Sequence, residues 1–408
     1  MIKNMASELP GMTQTIGNPV FQIPPSTVLS KIPLVRDRKV ILLATATITL
    51  ENIFSNGLFQ NVFVLYKMFD AMGYAPILII HEKPTSLDKI PLMLHHCRMM
   101  TTEQVILQPI PVVALIEIGM SIDPLLREFV KMLGGKLAKL YLGNILNIDI
   151  ETPIFYPGMN FAHHIIEKID KIWVSPHYGQ HAEYASHINH VIPPEDLTHM
   201  IAPYVWDKCI VTRDGVENLK WSPRKSVNDD TIVIMEPNIS FQKSSLVPLL
   251  AVERWYRNGG KTWKGKVVVV NGDRLKSTPH FTSNIIPALD IFIDDRVILT
   301  DRMDILSVMK AYPSALFMLH QFNNEYNYMT LELLHCGFPA VHNSPSWASF
   351  GYSYNGNNVT EAAAQIKVAY DLHHERLEVY KAHAEALSWR HSPYNPDIHL
   401  AWEQLLKY

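Results

Sequence analysis

The chain has 408 residues, 48% hydrophobic and 18% charged, and its 36 Lys plus Arg against 39 Asp plus Glu leave a net charge of -3. That apolar content excludes a disordered chain, and the length allows two or three domains. The near-neutral balance gives no electrostatic case for nucleic acid as the main partner. Cys97, Cys209 and Cys336 are too scattered for a disulfide framework or a zinc site and point to a reducing compartment.

Residues 1–36 carry seven Pro and Gly between Pro10 and Pro33, which predicts a tail outside the folded core. Lys39-Val-Ile-Leu-Leu-Ala-Thr-Ala46 is an unbroken apolar run that suits a parallel strand buried on both faces. A Ser55-Asn56-Gly57 turn follows, then a helical stripe from Leu58 to Met72, then a strand at Pro76–Ile80, which together make a βαβ unit. The rhythm continues with a strand at Val112–Ile118, a helix at Pro124–Leu133 closed by Gly134-Gly135, and strands at Lys139–Leu142 and Lys171–Val174. Around 205–230 periodicity lapses into polar residues, which predicts a hinge. A second series starts at Thr231–Met235, with a helix at Pro248–Arg257 and strands at Lys266–Val270, Arg296–Leu299, Ala315–Leu319 and Ala340–Val341. The chain after Glu361 reads as helical, interrupted by Pro393 and Pro396.

The expected fold class is therefore α/β: two consecutive doubly wound domains at 37–222 and 223–370, with a C-terminal helical segment at 371–408 that could cross back to the first domain. The apolar stretch Val105–Ile122 is broken by Gln108, Pro109, Pro111 and Glu117, and Lys3, Glu8 and Pro10 interrupt any signal-peptide core. A cytoplasmic protein without a membrane span is expected.

Ligands of such sheets gather where strands end and helices begin. Asn56, Gly57, Gln60 and Asn61 occupy that place in the first domain; Gly57 would let backbone approach a ligand, and Asn56 and Gln60 could hold an acceptor. In the second domain the same place is taken by Asn238 and Lys243 after the first strand, by His320, Gln321, Asn324 and Glu325 after another, and by His342, Asn343 and Ser344 after a third. Glu332 lies on the helix between the last two groups. The pair His177 and His181 has metal-binding spacing for a helix but no third ligand placed beside it, so no metal site is expected. Asp229-Asp230 and Asp294-Asp295 read as solvated loops, and the aromatics of Gly351-Tyr352-Ser353-Tyr354 suit either core packing or stacking on a base or sugar.

Leu331-Glu-Leu-Leu-His-Cys-Gly-Phe-Pro-Ala-Val341 resembles the L-E-A-x-A-x-G-x-P-V stretch of retaining glycosyltransferases of the GT-B fold, which use nucleotide sugars. The resemblance implies that Glu332 binds the donor ribose. The family's second glutamate, eight residues earlier, is Asn324 here, with Glu325 one place off register; these are the implied sugar contacts. Met235-Glu-Pro-Asn-Ile-Ser-Phe-Gln-Lys-Ser244 resembles the family's diphosphate-clamping turn, with Lys243 on its lysine and Asn238 in place of its arginine, so that Arg302 or Arg274 would supply the second cation. His163 falls near the acceptor-side histidine of similar enzymes. Across residues 40–405 the chain is most similar to an uncharacterised glycosyltransferase-like family of bacteria and viruses, with a viral member acting in the host cytoplasm.

The resemblance implies two Rossmann-like domains facing a cleft, and transfer of a sugar from a nucleotide-diphosphate donor to a hydroxyl-bearing acceptor, with retention and with neither metal nor cofactor. Lys243, Asn324 and Glu325 would be catalytic. Gly57, Asn238, Lys243, His320, Gln321, Glu332, His342, Asn343 and Ser344 would bind the donor, and His163, Asn56 and Gln60 the acceptor. That acceptor could be a glycan, a protein, a small molecule or a modified nucleobase. A nucleotide-sugar epimerase on the same fold is the alternative enzyme, and a catalytically degenerate binding module, for which Asn238 and Asn324 speak, the alternative without chemistry.

Overall fold

The computed structural model describes residues 37–50, 52–54, 57–81, 86–108, 110–118, 122–159, 168–212, 219–226 and 230–407; the tail expected at 1–36 lies outside them. The first half runs β1 (Val40–Ala44), α1 (Gly57–Ala71), β2 (Ala75–Ile79), β3 (Met99–Met100), α2 (Thr102–Leu107), β4 (Val112–Glu117), α3 (Pro124–Met132), β5 (Lys136–Tyr141), α4 (Ile145–Phe155), β6 (Lys171–Val174) and α5 (Ala182–Ile188). The second runs β7 (Thr231–Ile234), α6 (Leu246–Trp255), β8 (Lys266–Val269), β9 (Val297–Leu299), α7 (Ile305–Ala311), β10 (Leu316–Met318), α8 (Tyr328–His335), β11 (Ala340–His342), β12 (Tyr352–Ser353), α9 (Val359–Arg390) and α10 (Pro396–Lys407), single-turn helices between β8 and β9 being left unnumbered.

Each half is one six-stranded parallel sheet, and the two share one topology. Their orders are β3-β2-β1-β4-β5-β6 and β9-β8-β7-β10-β11-β12, so strand order reverses beside β1 in one half and beside β7 in the other. The fold class is the expected one. The all-apolar runs form the buried centres: every residue of β1, β2, β7 and β10 is buried. Helices cover both faces, as parallel sheets require. Gly134 ends the turn after α3 with φ +77°, a conformation that costs a residue without Cβ nothing.

The halves are tied together in several places. One buried apolar cluster runs from Ile41 and Leu43 on one face of the first sheet through Tyr204, Val205 and Trp206 to Val233 and Phe317 of the second. On α10, Trp402 packs edge-on against Phe69 and Trp173 of the first half, at 5.2 and 5.5 Å between ring centroids. Around the expected hinge, Trp221 N–H donates to Cys336 O (2.9 Å) and Ser222 N–H to Pro313 O (2.9 Å), so that stretch packs on the second half. Among the described residues no helix is long and apolar enough to cross a membrane, and the three cysteines are free thiols.

Candidate functional site

A cleft of about 870 Å³ separates the two sheets at the C-terminal ends of their strands, where both orders reverse. A volume of that size lies in the range of small-molecule sites. The first half contributes Ala46, Leu50 and Phe54 after β1, Gly57–Asn61 at the start of α1, and Lys139–Gly143 at the end of β5. The second contributes Met235–Pro237 and Lys243 after β7, Val270 and Asn271 after β8, Arg302–Ile305 after β9, and Asn324, Tyr326–Met329 and Glu332 around the start of α8.

The loop after β7 is shaped by Asn238. It sits at φ +53°, in the left-handed region that asparagine tolerates better than most residues. Its Oδ1 accepts from Ser245 N–H (2.8 Å), its Nδ2 donates to Ser245 Oγ and Glu236 O (both 3.0 Å), and its N–H donates to Lys243 O (3.0 Å). The closed loop returns Lys243 to the cleft beside Glu236. Asn238 thus braces the loop and does not itself line the cleft. Of the two arginines considered as a second cation, Arg302 lines the cleft and Arg274 does not. Burial, reinforced by the charge of Arg302, lowers the Lys243 pKa, while Glu236 opposes that shift.

Glu236 carries no signal that the sequence reading used, yet it is fully buried in the cleft wall. Its Oε1 accepts from His320 N–H (2.9 Å), and Gln321 Nε2 donates to both its oxygens (3.1 and 2.9 Å). Burial pushes this carboxyl up to about 7, against the pull of those donors and of Lys243. Gln321 Oε1 accepts from Asn324 Nδ2 (2.9 Å), and Asn324 Oδ1 accepts from the hydroxyl of Tyr178 in the first half. The signal for Glu236 was a carboxylate directly continuing an apolar run, at the strand beside which the order reverses.

The other strand-end residues support this wall from behind. His320 Nδ1 bonds Tyr354 Oη (2.8 Å), and burial lowers the ring's pKa to about 4. His342 Nδ1 accepts from Ser344 N–H (3.2 Å), so its Nε2 is the donor to Phe350 O (2.8 Å); burial holds it neutral, at about 4. Asn343 clamps the backbone of Gln321 on both sides, accepting from its N–H (2.9 Å) and donating to its O (2.8 Å). Ser344 Oγ donates to Glu325 O (2.7 Å), and the Glu325 carboxylate accepts from Ser346 N–H (2.9 Å). His320, Gln321, Glu325, His342, Asn343 and Ser344 therefore brace the cleft without lining it, whereas Asn324, Lys243 and Glu332 line it.

In the first half, Gly57 is a close-approach position of an unexpected kind. A Cβ there would collide with the ring of Tyr328, so the missing side chain admits the opposite domain. Gln60 and Asn61 are buried and line the cleft, and Gln60 Oε1 has no hydrogen-bond partner among the described residues. Asn56 and His163 lie outside the described residues. A second unanticipated group is Lys139, 2% exposed within β5 and opposite Glu117 in the register of β4. Burial brings its pKa down to about 8, with Glu117 opposing and Arg127 adding to the shift. Glu117 is itself held by Arg127 through bonds of 2.7 and 3.2 Å.

His177 follows β6 and stacks on Tyr326 across the cleft, with centroids 4.8 Å apart. Burial, with Lys243 nearby, lowers its pKa to about 3, so it is neutral. His177 and His181 do not share an α-helical face, because 176–181 is a kinked 3₁₀ turn, and among the described residues no cluster of three metal-ligating side chains occurs. Asp230 accepts from Trp263 Nε1 (2.6 Å), and Tyr352 stacks on Tyr380 (5.7 Å), so both belong to packing.

Residues 43–406 match the model of a family described as protein of unknown function, DUF2827, and the chain belongs to that family. No protein of curated function matches it by sequence. Among solved structures it is similar to a glycosyltransferase from Rickettsia africae, with a TM-score of 0.53 and 12% identity over 90% of this chain and 99% of that one. It is similar to Anabaena HepE in complex with UDP and glucose, with a TM-score of 0.51 and 11% identity over 90% and 99%. It is also similar to an α-glucosyltransferase in complex with UDP and a 13-mer DNA containing an HMU base, with a TM-score of 0.53 and 9% identity over 91% and 100%. These likenesses establish the GT-B fold.

Proposed function

We propose that this DUF2827 protein is a glycosyltransferase that moves a sugar from a nucleotide-diphosphate donor to a hydroxyl-bearing acceptor, with retention and without a resident metal. The observation that carries the reading is the convergence of Lys243, Arg302 and Glu332 on one cleft wall, facing Gln60 and Asn61 across the gap. Lys243 and Arg302 meet the charge of the diphosphate and stabilise it as it departs. Glu332 accepts from the ribose hydroxyls, and Asn324 faces the transferred sugar. The bond from the anomeric carbon to the diphosphate oxygen breaks while the bond to the acceptor oxygen forms on the same sugar face. The acceptor proton passes to the departing diphosphate. Retention rests on the motif at 331–341, and UDP is the first nucleotide to test because two of the similar structures hold it. Lys139, Gln60 and Asn61 form the acceptor side. Free cysteines suit work in the cytoplasm.

The test is a thermal-shift panel of UDP-, GDP-, ADP- and TDP-sugars, followed by nucleotide release assayed with the sugar that shifts most. A bound donor raises Tm by mass action. A shift with slow nucleotide release supports the enzyme, and a shift without turnover on any acceptor favours the degenerate module. No shift with any nucleotide sugar sinks the reading. The anomeric configuration of the product, read by NMR, decides retention.

A further inference from the structure

The bonds around Glu236 form a directed chain. A carboxylate accepts only, whereas a primary amide donates from its nitrogen and accepts at its oxygen. Glu236 therefore makes Gln321 turn its Nε2 inward, which leaves Gln321 Oε1 to take Asn324 Nδ2 (2.9 Å). Asn324 must then point Oδ1 at the first half, where the Tyr178 hydroxyl donates to it. Asn343 fixes the Gln321 backbone at both its N–H and its O, so a mismatch can be relieved only by turning the side-chain amide itself. The acceptor role of both oxygens of one buried side chain is thus read out three side chains away, on the opposite domain.

We propose that Glu236 is a positioning residue: its carboxylate sets the direction of the Gln321–Asn324–Tyr178 chain and so holds Asn324, the member of that chain that lines the cleft, in the orientation that receives the transferred sugar. The sugar part of this inference rests on the transferase reading above; the directed link between the domains does not. A plain counter-ion of Lys243 would act differently. Its loss would disturb the diphosphate site and weaken nucleotide and nucleotide sugar alike.

The test compares wild type, Glu236→Gln, Tyr178→Phe and the swap Glu236→Gln/Gln321→Glu. The probes are the nucleotide sugar with the largest shift in the panel and its parent nucleotide. Glu236→Gln and Tyr178→Phe should keep the Tm shift from the nucleotide and lose the further shift from the sugar. The swap places the acceptor-only group at 321, where Asn324 Nδ2 still finds it, and should recover at least half of that further shift. Equal loss of both shifts in Glu236→Gln, or an intact sugar shift in Tyr178→Phe, overturns the proposal; the latter arm serves even if Glu236→Gln does not fold. A ligand-free arm separates this inference from the donor assignment. Glu236→Gln and Tyr178→Phe combined should lower Tm by less than the sum of their separate effects, since both break one chain. Additive losses overturn the directed link whatever the ligand. If wild type responds to no nucleotide sugar, the donor reading fails and this arm alone decides the link.

Discussion

The two halves repeat one strand order, yet the charged side chains they bring to the cleft between them differ. The first half carries Lys139 within β5, opposite Glu117 and near Arg127. The second follows β7 with Glu236, beside Lys243 and with Arg302 behind it. Topology alone thus places the cleft between the sheets, and the charged groups tell its two walls apart. The second wall pairs an acid with cations that a diphosphate can engage. The first offers one lysine, deeply buried, and on the same wall Gln60 and Asn61. A shared fold sets where the chemistry happens, and a few side chains set which substrate lies on which side.

Substitutions on the two walls should therefore separate cleanly. Lys243→Met should lower kcat/KM by roughly 10²–10³, the cost of removing one group that stabilises developing charge. Lys139→Met should leave UDP affinity unchanged by calorimetry, and a large fall there would break the assignment of walls. The opposed charges also predict opposed pH responses. The folded pKa of Glu236 is raised from 4.5 to about 7, so the native state holds its proton longer than the unfolded chain does. Its contribution to stability is full below 4.5 and is lost as pH rises through 7, a change on the order of 3 kcal/mol. The groups facing it are Lys243, Arg302 beyond it, His320 and Tyr354. For Lys139 the folded pKa falls from 10.5 to about 8, so its contribution has the opposite slope, and stability is gained as pH rises from 8 to 10.5. Denaturant titrations across pH should show the first slope vanish in Glu236→Gln and the second in Lys139→Met.

Glu332→Ala should weaken nucleotide binding roughly 10- to 100-fold, the range for a lost hydrogen bond to a charged group. Acceptor KM should not move. The smallest effect concerns the seam itself. Gly57→Ala must push Tyr328 aside, an overpacking cost of roughly 1–3 kcal/mol that a fall in Tm would report. An unchanged Tm would mean that the halves do not meet as closely as described.

Much of the architecture was readable from residue order. Strands such as Val40–Ala44 and Lys266–Val269 announce themselves because a parallel strand covered on both faces needs an unbroken apolar run. The edge strands Met99–Met100 and Tyr352–Ser353 are too short to show any period. Within the cleft, Lys243 and Glu332 were legible from their places after β7 and on α8, with the motif at 331–341 in support. Glu236 and Lys139 were not: Glu236 follows the apolar run of β7 and Lys139 precedes the run Leu140–Leu142, and a charged residue flanking such a run looks like a strand meeting water. His342, Asn343 and Ser344 show the converse. They follow a strand end, where ligands gather, but their hydrogen bonds run to residues up to 22 positions away, which no local pattern encodes.

The chain passes between the halves after Trp206 and again where α9 gives way to α10. These two crossings are bonded to each other: Trp206 N–H donates to His391 O (2.8 Å), and His391 Nδ1 bonds Tyr204 O (3.2 Å). Trp347 Nε1 adds a third bond, to His391 Nε2 (3.0 Å). Both crossings are thus pinned to one residue, so a single imidazole and its backbone carbonyl fasten the chain where it leaves one half for the other.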